Sequence, residues 1–196
     1  MTVEQKLEKL LALNEGHFTT MQAHQMKLHN YQIQEIIREG LVERVAQGLY
    51  VGAEYFPDPF AVIQHRVPKG VFSHLTALYL HGLSSRDPII YMLTIPSGND
   101  SRMAKNSNIR FYYNNSNLMN FGVQEIETPF GTRVWTFDVE RTLCDCIKYI
   151  DKLDSDLVLT GLKDYLSSPQ RNSAKMIECA EKLGIKSQII RYLEVL

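Results

Sequence analysis

The stretch FTTMQAHQMKLHNYQIQEIIREGLVERVAQGLYV, residues 18–51, decides how the first part of the chain folds. Thr19 and Gln22 have the spacing of a capping box, in which a hydroxyl and an amide satisfy the free N–H groups of a helix start. Asn30 has the side chain of a second helix cap. Between Tyr31 and Glu39, Ile33, Ile36 and Ile37 share one face at helical spacing, and Tyr31, Gln34, Glu35 and Arg38 fall on the opposite face. Gly40 follows where a glycine closes a helix without steric cost. Leu41 to Arg44 and Leu49 to Val51 read as paired short strands around Gln47-Gly48. Helix, turn, helix and tight hairpin is the order of a winged helix-turn-helix.

In such a domain the second helix enters the DNA major groove and the hairpin, or wing, holds the flanking backbone. The candidate DNA-binding residues are Thr20, His29, Asn30, Tyr31, Gln32, Gln34, Arg38, Arg44 and Gln47. Asn and Gln pair bidentately with adenine edges, Arg with guanine or phosphate, and Tyr with phosphate or a thymine methyl. Residues 1–52 hold five Lys or Arg and six Asp or Glu, a poor overall charge for a phosphate polyanion. Binding must therefore use local cations, Lys27, Arg38 and Arg44 with His24 and His29, or two copies on a palindrome. The competing reading is a protein-interaction or dimerising module whose polar helix face is merely solvated.

Outward from this stretch, residues 2–13 read as an amphipathic helix with Val3, Leu7, Leu10 and Leu11 on one face, stopped by Asn14-Glu15-Gly16. Gly52 to Pro59 carries two prolines and no periodicity, which places a domain boundary there: residues 1–52, then 60–196. The second part mixes helices and strands. Helices are expected over 60–65, 71–83 with Ser73 as cap, a helix capped by Asp138, and 156–166, 174–183 and 188–196, the last three with Ser155, Ser173 and Ser187 near their starts. Strands are expected over 89–95, 109–113, 123–128 and 133–137, making one small, mostly antiparallel sheet, with the Asn- and Ser-rich residues 101–120 looping out around the second of them. The fold class is thus α+β: a winged helix-turn-helix followed by an α/β C-terminal domain with C-terminal helices.

With 196 residues, 44% hydrophobic and 22% charged, the composition is that of an ordinary soluble protein. No apolar run is long enough to span a membrane and MTVEQKLEKLLAL lacks the plan of a signal peptide, so a cytoplasmic location is expected. Cys144, Cys146 and Cys179 are odd in number, and the first two point to nearly opposite sides of a helix, which favours buried free thiols over zinc or a disulfide.

Ser73, His74 and Asp145 carry the residue types of a catalytic triad. Successive helical residues point about 100° apart, which does not readily bring a Ser oxygen and the next His ring into contact, and no Gly-x-Ser-x-Gly elbow occurs. No enzyme is expected on these grounds, with Ser73 as a cap and His74 packed. Arg141 and Asp145 stand at i and i+4 and are expected to pair, with Glu140 in the first turn of the same helix. No third ligand at metal spacing and no glycine-rich phosphate loop occur, so neither a metal nor a cofactor is expected.

Three ordered pieces carry a resemblance: QGLYV at 47–51; Ser73-His74 with Thr76-Ala77-Leu78 and His81-Gly82-Leu83; and FDVERTLCD at 137–145. Together they resemble the AbiEi family, antitoxins and transcriptional repressors of bacterial type IV toxin–antitoxin systems that act in abortive infection, an antiviral defence. The resemblance covers nearly the whole chain. It implies a winged domain that represses its own operon by binding inverted repeats in double-stranded operator DNA, as a monomer in solution or a dimer on DNA. It further implies a C-terminal domain with the antitoxic activity, directed against a nucleotidyltransferase-like toxin, with no stable complex required. Under it Ser73, His74, Glu140, Arg141 and Asp145 gain a possible antitoxic role beside the structural one.

Overall fold

The computed structural model describes residues 1–99 and 108–195. It is an α+β protein whose chain divides into two compact units, residues 1–68 with 127–134, and residues 69–126 with 135–196.

In the first unit, α1 (Val3–Leu13) starts with a capping box at Thr2 and Gln5. It stops at Asn14, after which Glu15 and Gly16 take positive φ of 48° and 79°. β1 (His17–Thr19) runs into α2 (Thr20–Gln25), where the Thr19–Gln22 capping box forms: the Thr19 N–H donates to Gln22 Oε1 at 2.7 Å, and the Gln22 N–H to Thr19 Oγ1 at 3.2 Å. The turn after α2 closes with Lys27 at φ 57° and a bond from the Leu28 N–H to Ala23 O, so a lysine occupies the left-handed position that a glycine usually fills. α3 (Asn30–Arg38) follows and is closed by Gly40 at φ 74°.

The cap of α3 differs from the sequence expectation. His29, in extended conformation, is the capping position, and its N–H donates to Gln32 Oε1 at 2.9 Å. Asn30 is the first helical residue, and its Oδ1 accepts from His24 Nε2 at 2.8 Å. The amide three residues into the helix satisfies the cap N–H, which leaves Asn30 free to bond elsewhere.

β2 (Val42–Ala46) and β3 (Leu49–Gly52) form the expected hairpin around Gln47-Gly48, with Gly48 at φ 72°. β1 pairs with β3 on its other side, antiparallel, so β3 is the middle strand and all four of its residues are buried. Leu7, Leu10, Phe18, Ala23, Leu28, Ile33, Ile36, Val42 and Tyr50 form one core, joining the inner faces of three helices to the sheet.

The boundary lies later than the expected 52–60 interval, because α4 (Pro59–Arg66) belongs to the first unit. Asp58 caps it, with Oδ1 accepting from the Phe60 N–H at 2.8 Å and Oδ2 accepting from Thr128 Oγ1 at 2.6 Å and from Thr132 Oγ1. His17 Nε2 accepts from the Asp58 N–H at 2.9 Å. These buried bonds also account for the inclusion of residues 127–134, a hairpin tip far away in sequence.

In the second unit, β4 (Val71–Phe72), α5 (His74–Leu80), β5 (Tyr91–Pro96), β6 (Ile109–Asn114), α6 (Ser116–Met119), β7 (Val123–Glu127) and β8 (Arg133–Phe137) precede the helices α7 (Val139–Lys148), α8 (Ser155–Ser167), α9 (Ser173–Lys182) and α10 (Lys186–Val195). The sheet order is β6-β5-β4-β8-β7. The expected mostly antiparallel sheet is corrected to a mixed one: β4 is antiparallel to β5, whereas β4–β8 and β5–β6 are parallel. Strand composition and alternation report which face is buried, not which neighbour pairs or in which direction. β4 sits centrally and is only two residues long, too short for a periodic signal. The observed caps of α8 and α9 are Asp154 and Asn172, each one residue before the expected serine. The Asn- and Ser-rich stretch contains β6 and α6, and residues 101–107 of it lie outside the described residues.

Leu143, Cys144, Cys146 and Ile147 of α7 pack with Val158, Leu162, Met176, Cys179 and Ala180 to form the main core of this unit. The three cysteines are free and buried. Among the described residues no helix is long and apolar enough to cross a membrane.

Candidate functional site

Five of the nine candidate DNA-binding residues come together. Thr20, Asn30, Gln34, Arg44 and Gln47 line one open groove of about 390 Å³ in the first unit, with Ile33, Gly48 and Tyr50. The buried Ile33 turns the opposite face of α3 outward, and the β2–β3 register sets Arg44 opposite Tyr50. The hairpin tip is held against the start of α2 by the Thr20 N–H, which donates to Gly48 O at 2.9 Å. The Gln34 side chain makes no hydrogen bond among the described residues and is exposed, so its amide is available to a partner.

The other four lie apart from this groove. His29 and Tyr31 stack, with ring centroids 6.1 Å apart and planes 8° from parallel, and Tyr31 is 67% exposed. Gln32 spends its side-chain oxygen on the cap of α3, and Arg38 is exposed in the last turn. Two side chains that the sequence reading placed in another domain reach the hairpin from α4: His65 Nε2 donates to Gln47 O at 2.8 Å and Arg66 Nη2 to Val45 O at 3.5 Å. Their sequence signal was only a basic last turn.

The second set of candidates is buried in the second unit. The expectation that Ser73 and His74 do not readily touch is overturned, since Ser73 Oγ lies 2.9 Å from His74 Nδ1. The helical rotation does not apply at this step, because Ser73 is extended and His74 has φ 52°. Ser73 makes no side-chain cap bond; it accepts from Thr94 Oγ1 at 2.9 Å instead. The His74 ring stacks on Tyr112 with centroids 3.5 Å apart and meets the edge of Tyr149 at 5.3 Å, while its Nε2 is buried without a hydrogen-bond partner. Burial first, then the charges of Arg141 and Arg110, push the His74 pKa down to about 3, so the imidazole is neutral at ordinary pH.

Asp145 does not orient this histidine. It accepts from Arg141 Nε at 2.9 Å, as the i, i+4 spacing suggested. Arg141 is fully buried, and its Nη1 donates to Leu118 O at 2.9 Å and Phe121 O at 3.2 Å. With its amide oxygen turned inward, Asn114 accepts from Nη2 at 2.8 Å. The guanidinium lies 4.3 Å from the centroid of Phe137. Burial pushes the Asp145 carboxyl up to about 6, against the opposing pull of Arg141. α7 is therefore tied to the end of β6 and to the α6 segment by one guanidinium that makes four hydrogen bonds.

Glu140 faces a separate small cleft of about 200 Å³, lined by His81, Asp138, Tyr165 and Lys175 among others. Its carboxylate accepts from Tyr165 Oη at 2.8 Å and pairs with Lys175 at 3.1 Å, the same distance at which Lys175 meets Asp138. His81 Nε2 donates to Phe137 O at 2.7 Å. Sequence reasoning missed Tyr165 and Lys175, which lie on other helices at distances that no local pattern spans. No cluster of three or more His, Cys, Asp or Glu arranged to hold a metal occurs among the described residues.

No protein-family model and no curated protein matches the chain. Among solved structures, it is similar to the crystal structure of the RV2827C protein from Mycobacterium tuberculosis, with a TM-score of 0.47 and 11% identity over 99% of this chain and 81% of that one.

Proposed function

We propose that the first unit is a winged helix-turn-helix that reads double-stranded operator DNA, and that the chain is a repressor and antitoxin of the AbiEi kind. The observation that carries the DNA reading is the groove in which the outward face of α3 and the hairpin tip set two amides, Asn30 and Gln34, beside Arg44 and Gln47. Amides of this kind discriminate adenine edges in the major groove, and an arginine on the wing supplies a backbone contact. The role of the second unit is non-catalytic in this reading. Ser73 and His74 are both buried, and an imidazole with so low a pKa is a weak general base.

The experiment is a titration of labelled duplex from upstream of the gene with full-length protein, wild type and Gln34→Ala. Gln34→Ala is expected to lose about 1–3 kcal/mol of discrimination between the operator and unrelated duplex. Equal discrimination by the two proteins would remove Gln34 from base reading. A second reading, a protein-interaction module, draws on the acidic balance of residues 1–52 and the exposed Tyr31. Antitoxin activity that survives the triple change of Gln34, Arg38 and Arg44 to Ala would favour it.

A further inference from the structure

The hairpin tip has its carbonyl oxygens taken by donors from α4, from the start of α2 and from Arg44 of the hairpin itself. Val45 O accepts from Arg66 Nη2, Ala46 O from Arg44 Nε at 3.3 Å, Gln47 O from His65 Nε2, and Gly48 O from the Thr20 N–H. Arg66, Arg44 and His65 thereby contact three consecutive hairpin residues, Val45 to Gln47. Each arginine spends one N–H donor there and keeps the rest. Neither Arg44 nor Arg66 has an ion pair among the described residues, and both are exposed.

The surrounding charge makes this placement informative. Residues 1–68 carry six Lys or Arg against eight Asp or Glu, so a polyanion approaching this unit finds attraction only where cations are concentrated. Glu43, the nearest acid in sequence, precedes Arg44 on β2 and points to the other face of the strand. Asp58 is buried under the hydroxyls of Thr128 and Thr132.

We propose that the end of α4 and the hairpin together form a phosphate clamp, in which Arg66, with Arg44 and His65, holds backbone phosphodiesters of duplex DNA beside the segment read by α3. The clamp rests on the DNA reading above and extends the interface to a helix beyond the winged motif. Pinning by hairpin carbonyls orders the long side chains before DNA arrives, which lowers the entropy lost on binding.

The test measures affinity of full-length wild type, Arg66→Gln, Arg66→Lys and Arg44→Gln for the upstream duplex over a series of salt concentrations. Each lost phosphate contact is expected to reduce the slope of log K against log salt by about 0.9 and to weaken low-salt binding on the order of tenfold, with sequence preference unchanged. Arg66→Lys, which keeps the charge, should retain most of the wild-type slope. If wild type binds and Arg66→Gln has the same slope and affinity, the clamp is wrong and the DNA reading stands. If Arg66→Gln and Arg66→Lys lose equally, the residue only braces the hairpin and the clamp is again wrong. If wild type binds no duplex at low salt, both fall together.

Discussion

Replacing Arg141 with Ala would strand Asp145 as a buried, unpaired carboxyl and leave the Leu118 and Phe121 carbonyls without their donor. Losing one member of a buried pair costs about 3–5 kcal/mol, so Arg141→Ala is expected to lower the denaturation midpoint steeply, as circular dichroism with urea would show. The pairing of Arg141 with Asp145 was legible because it is local to one helix. The Ser73–His74 contact was not, because it depends on a left-handed histidine that sequence spacing does not reveal. His74 also sets a pH dependence. Its folded pKa of about 3 lies below the unfolded value of 6.5, so between these values the unfolded chain binds more protons and stability falls as pH falls. Asp145, raised from 3.8 to about 6, works in the opposite direction below pH 6, and the lowered His81 adds to His74. In His74→Asn, which tolerates the left-handed backbone, the stability lost between pH 7.5 and pH 5 should shrink by about 2 kcal/mol, at roughly 1.4 kcal/mol per unit. An unchanged pH profile would mean that His74 titrates freely.

The hairpin is where local chemistry and distant support meet. Gln47-Gly48 announced the turn, and Gly48 at φ 72° is required there both by its backbone and by Thr20 Oγ1, which would stand 3.3 Å from an added Cβ. Gly48→Ala is expected to cost about 1–2 kcal/mol of stability, read by thermal melting, and to weaken duplex binding by displacing Gln47. The caps at Thr19 and Asp138 were equally legible, since each is decided by side chains within three residues. Strand order and direction in the second sheet were not. β4 acquires its central place from partners at Leu93 and Thr136, and neither is near it in sequence.

Across the whole molecule, the chain divides into two compact units, the first of which runs on through residue 68. Gly52 to Pro59 looked like a linker, yet Asp58 is buried, caps α4 and accepts from Thr128 and Thr132. Asp58→Ala should therefore destabilise the first unit by about 1–3 kcal/mol through the two orphaned hydroxyls and the lost cap, a loss measurable as faster proteolysis within residues 1–68. The groove between α3 and the hairpin follows the same pattern. Its α3 and hairpin members were read from the sequence, whereas His65 and Arg66 became visible only through hydrogen bonds to hairpin carbonyls. The central claim is that this unit reads duplex DNA, and fluorescence anisotropy of full-length protein with its own upstream duplex in low salt tests it most directly. Saturable binding that survives excess unrelated duplex is the expected result; no binding, or binding that unrelated duplex competes away equally, would contradict it.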